Sequence, residues 1–115
     1  MEKDNLIQNK SFEFALSVID LFKKLNKQNE FIISKQLLRS ATSIGANVEE
    51  AIAAQSRKDF IHKLSIASKE ARETRYWLKL LKESRLTGEN CNKYLEEANE
   101  IIAILTKIIK TSVSQ

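Results

Sequence analysis

Proline is absent from this chain, and glycine stands only at Gly45 and Gly88. Proline removes a backbone donor and clashes with the preceding helical turn, and glycine costs a helix interior roughly 1 kcal/mol against alanine. With both so scarce, almost nothing interrupts helical propagation. The question becomes how the helices bury their apolar sides. Hydrophobic residues make up 43% and charged residues 30% of the 115 positions, which suffices for one core and leaves a dense set of charges for the solvent faces.

Four amphipathic segments answer it. From about Ser11 to Leu25, Phe12, Ala15, Ile19 and Phe22 recur at helical spacing, with Phe14, Val18, Leu21 and Leu25 widening the stripe. A second segment, from about Glu30 to Gln55, aligns Leu37, Leu38, Ala41, Ile44, Val48, Ala51 and Ile52. Gly45 lies within it and marks either the close approach of another backbone or a tolerated glycine. Ser56 followed by Asp59 resembles a capping box, so the third helix begins at Arg57 and continues to about Ser84. Its inward side carries Phe60, Leu64, Ala67, Ala71, Thr74, Leu78 and Leu81.

After a break at Thr87 and Gly88, a fourth helix runs from about Glu89 to Lys110, with Cys91, Tyr94, Ala98, Ile101, Leu105 and Ile108 at near-heptad spacing. The second and third helices would each be about 40 Å long, and breaks of a few residues force such neighbours antiparallel. The expected fold is all-α: an antiparallel up-down-up-down four-helix bundle, a single domain over residues 1–115.

Most catalytic constellations are missing. Cys91 is the one cysteine and His62 the one histidine, so neither a disulfide nor a cysteine–histidine metal cluster can be assembled within the chain. Two isolated glycines cannot form a phosphate-binding loop. Asn47 and Glu50 share a helix face and could make a polar contact between helices or a ligand site. No metal, no cofactor and no enzyme activity is expected. Met1 to Gln8 lacks the apolar run of a signal peptide, and no stretch approaches the ~20 apolar residues of a membrane span. The expected setting is cytoplasmic, without a membrane partner.

Charge carries the remaining information. The net charge is +4, which favours acidic partners such as RNA or DNA. On the third helix, Arg72, Arg75, Lys79 and Lys82 follow at spacings of three, four and three and fall within one quadrant, while Glu70, Glu73 and Trp77 take the opposite flank of the core stripe. One reading makes the four cations a nucleic-acid-binding stripe, binding phosphates without sequence choice. A second makes the divided flanks an oligomer interface, Glu70, Glu73 and Trp77 meeting the basic side of another copy in a protein-binding scaffold. A solvated basic face is the plainest reading of the same residues. Tyr76 and Trp77 could stack on bases, but such a pair more often buries, with Trp77 at a core edge or interface.

The string LRSATSIGANVEEAIAAQ from Leu38 to Gln55, followed by RKDFIHKLSIASKEARETRYWLKLL from Arg57 to Leu81, resembles the four-helix-bundle family of proteins encoded in 23S rRNA intervening sequences. The likeness covers nearly the whole chain and is most specific at Ser43-Ile44-Gly45-Ala46-Asn47-Val48 with Glu50. It departs at Gly45, where many relatives carry proline. That family includes the accessory protein of diversity-generating retroelements, a pentameric ring that binds nucleic acid through basic surface. The resemblance therefore implies a non-catalytic homo-oligomer, pentameric by analogy, that binds nucleic acid and serves a partner protein.

Overall fold

The computed structural model describes residues 2–115, with side chains from Leu6 onward, so the head of the Met1–Gln8 segment lies outside the described residues. These residues form four α-helices and no strand: α1 (Glu2–Lys27), α2 (Ile33–Ile52), α3 (Arg57–Ser84) and α4 (Asn92–Ser114). Each helix packs on its two flanking neighbours: α1 and α3 both lie against α2 and α4. Among the described residues the diagonal pairs do not meet. With short connections, that square is the expected antiparallel up-down-up-down bundle, 47 Å long and 20 Å across.

The α1 core face differs from expectation. Its buried ladder is Ile7, Ser11, Phe14, Val18, Leu21 and Leu25, at alternating spacings of four and three. Phe12, expected to lead the stripe, is 61% exposed, and Ala15, Ile19 and Phe22 are half-buried beside the ladder. Of the apolar positions expected on α2, Leu37, Ala41, Ile44, Val48 and Ala51 are buried, Leu38 is half-buried and Ile52 is turned outward; Ser34 and Ser40 are buried beside them. The expected faces of α3 and α4 are otherwise as read, with Phe60 and Tyr94 packed at the margins.

Within the core, the Ser40 and Thr74 hydroxyl oxygens lie 2.8 Å apart across the α2–α3 seam, and each also reaches a carbonyl of its own helix, Leu37 at 3.3 Å and Glu70 at 2.8 Å. Those contacts satisfy two polar groups that would otherwise be costly to bury.

Helix ends follow local chemistry. The α1 helix runs two residues past Leu25 because Asn29 takes a left-handed φ of 64°, while the Glu30 amide donates to the Leu25 carbonyl at 2.9 Å. This is a Schellman-type close. Glu30 stays outside α2 and caps it: its carboxylate accepts the amides of Ile32 and Ile33 at 3.1 Å and of Ser34 at 2.6 Å. The free amides of a helix N-terminus favour an anion there. The expected start at Arg57 holds, with the Ser56 hydroxyl accepting the Asp59 amide at 3.0 Å.

Before α4, Thr87 Oγ1 accepts the Glu89 amide at 3.0 Å and Asn90 Oδ1 the Asn92 amide at 2.9 Å, so the helix starts three residues later than expected. It also continues to Ser114 rather than ending at Lys110.

Gly45 faces α1. A Cβ placed on it would lie 3.6 Å from Ser11 Oγ and 3.7–3.8 Å from the Ser11 carbonyl atoms. Another backbone does approach here, at ordinary van der Waals distance.

Candidate nucleic-acid interface

The α3 helix places its four cations beside the α3–α4 seam. Arg72, Lys79 and Lys82 are exposed and Arg75 is half-buried. A surface groove of about 380 Å³ between the helices is lined by Arg75, Lys79 and Lys82, with Glu83, Leu95 and Asn99. The Arg75 guanidinium donates from Nη1 to Asn99 Oδ1 at 3.0 Å, which fixes it against α4 without neutralising it. Among the described residues, none of the four cations forms an ion pair. Arg72 extends the row beyond the groove, and Glu83 is the one acid lining it. A row of cations without ion-pair partners along one helix suits an anion that repeats along a line.

The opposite flank is committed within the chain. Arg39 of α2 bridges to Glu70 at 3.3 Å and to Glu73, and Trp77 Nε1 donates to Glu73 at 3.0 Å. The Trp77 hydrogen bond, helped by Arg39, holds the Glu73 carboxyl below its ordinary range, and the bond to Glu73 raises the Arg39 guanidinium. Trp77 is half-buried against the core, its ring meeting Tyr76 edge-on at 5.2 Å. Of the three residues expected at an oligomer interface, Glu70 and Glu73 thus engage α2 of their own chain, and Trp77 bonds to Glu73. Sequence reading missed Arg39 and Asn99, the cross-seam partners; Arg39, the one arginine of α2, was the available signal.

Other candidates disperse. Asn47 bonds back to the Ser43 carbonyl at 2.8 Å, while Glu50 reaches across to Lys63 of α3 at 2.9 Å, so the two do not converge on a ligand. His62 is exposed. Cys91 is buried at the start of α4, where burial pushes its thiol pKa up and keeps it protonated. Among the described residues, no group of three or more histidine, cysteine, aspartate or glutamate side chains could hold a metal ion. Nor is any helix long and apolar enough to cross a membrane.

A protein of unknown function from the S23 ribosomal protein family of Bacteroides thetaiotaomicron, solved by crystallography, is similar at 53% sequence identity with a TM-score of 0.89, over 94% of this chain and 98% of the other. No curated protein matches. The family model described as 23S rRNA-intervening sequence protein matches residues 3–107. With the match spanning all four helices, the chain belongs to the 23S rRNA-intervening sequence protein family.

Proposed function

We propose that this protein is a non-catalytic helical bundle that binds nucleic acid without sequence preference, through Arg72, Arg75, Lys79 and Lys82. One observation carries the reading: among the described residues those four cations form no ion pair, while Glu70 and Glu73 of the same helix are bound by Arg39. Phosphate contacts from such a row give affinity and no sequence choice. Assembly into a homo-oligomer, a pentameric ring in the resembling accessory protein, would multiply the contacts and raise avidity.

The test replaces all four cations by glutamine, which keeps helix propensity close to that of lysine and arginine. Binding to a mixed-sequence oligonucleotide should be lost with the helical spectrum intact. Partial variants should flatten the salt dependence by about 0.9 per lost contact on duplex DNA and about 0.7 on single strands. Unchanged affinity and slope would overturn the reading. Mass measured on the same samples distinguishes a second result: dissociation into monomers would assign the basic flank to a subunit interface and favour the scaffold.

A further inference from the structure

We propose that Tyr76 is a stacking platform for an unpaired base, which makes the preferred ligand of the α3 stripe a single strand. This rests on the nucleic-acid reading of that stripe. Tyr76 stands four residues after Arg72 and three before Lys79, so its ring borders the cation row on the outer side of α3. It is 55% exposed. Its neighbour Trp77 is turned to the core margin and donates its indole N–H to Glu73. Of the two aromatics, Tyr76 alone therefore offers a ring to a ligand.

That ring is also restrained. Tyr76 and Trp77 meet at an interplanar angle of 67° with centroids 5.2 Å apart, and Trp77 is itself held by the Glu73–Arg39 pair. A side chain already ordered loses less rotamer freedom on binding. Cations that follow the backbone beside an aromatic ring that accepts a base are the two components of a single-strand site. In a duplex the bases stack on one another and offer no free face, so the ring adds affinity only where a base is unpaired.

The test uses the whole protein, with Tyr76→Ala, Tyr76→Phe and the four-glutamine variant beside the wild type. Each is titrated with an oligo(dT) strand, a duplex of equal length and inorganic polyphosphate, which carries charge without bases. Tyr76→Ala should lose roughly tenfold on the single strand, the size of one base–aromatic stack, and nothing on polyphosphate. Tyr76→Phe should bind like the wild type. Trp77 is the one tryptophan, so its emission reports on the adjacent ring and should shift with oligo(dT) and not with polyphosphate. Equal losses of Tyr76→Ala on both ligands, or no loss on either, would overturn the stacking role. If the four-glutamine variant binds all three ligands like the wild type, the stripe is not the binding surface and the nucleic-acid reading fails first.

Discussion

Replacing Gly45 by alanine should stabilise the bundle. The position lies well inside α2, where glycine costs about 0.8–1.0 kcal/mol relative to alanine. An added methyl would meet Ser11 at 3.6–3.8 Å, which is contact without overlap, so no packing penalty offsets the gain. A net stabilisation of about 1 kcal/mol follows, equivalent to a rise in melting temperature of roughly 3–6 °C for a domain of this size.

Urea denaturation of wild type and variant, fitted with a common slope, measures the change directly. Gly45→Val sets the other bound: a second layer of carbon atoms must crowd the Ser11 backbone, and overpacking of that kind costs typically 1–3 kcal/mol. A loss of stability in Gly45→Ala would refute the reasoning, because it would mean that α1 and α2 sit closer than a methyl allows.

Two further outcomes concern the polar contacts of the α2–α3 seam. Thr74→Val should cost about 1 kcal/mol by leaving the Ser40 hydroxyl with only its long bond to Leu37, and Ser40→Ala added to it should recover part of the loss. Additive costs in that double-mutant cycle would mean that the two hydroxyls are not coupled. Because Glu73 has its folded pKa lowered, its contribution to stability is fully present above the ordinary carboxylate value near 4.5 and is lost as pH falls through the lower folded value. Glu73→Gln should therefore flatten the acid limb of a stability profile measured by urea midpoint, and parallel limbs would count against the network.

The α3 helix was legible in the sequence because each local signal agreed: a hydroxyl at its cap, an uninterrupted inward ladder and charges on the remaining faces. The α1 helix was not, for a specific reason. Apolar residues cover more than half its circumference, and the true ladder passes through Ser11, a polar residue at a buried position. Reading the ladder back to Ile7 requires knowing that the helix already exists there.

Glu30 misled for a similar reason, being a good helix former whose carboxylate acts on the next helix from outside it. At the candidate site, spacing along α3 was enough to group the four cations. What it could not show is which flank another helix would neutralise. Arg39 settles that for Glu70 and Glu73, and only the packing of α2 brings it there.

The square arrangement of the helices has a kinetic consequence. Three of its four seams join helices that follow one another in the chain, and each can form after closing only a short loop. The fourth joins α1 to α4, spans the whole sequence and is the thinnest of the set. Mostly local contacts place folding in the microsecond-to-millisecond regime of helical bundles. The first and last helices are then the final pair to meet as the chain folds, and their seam is the first to open when it breathes.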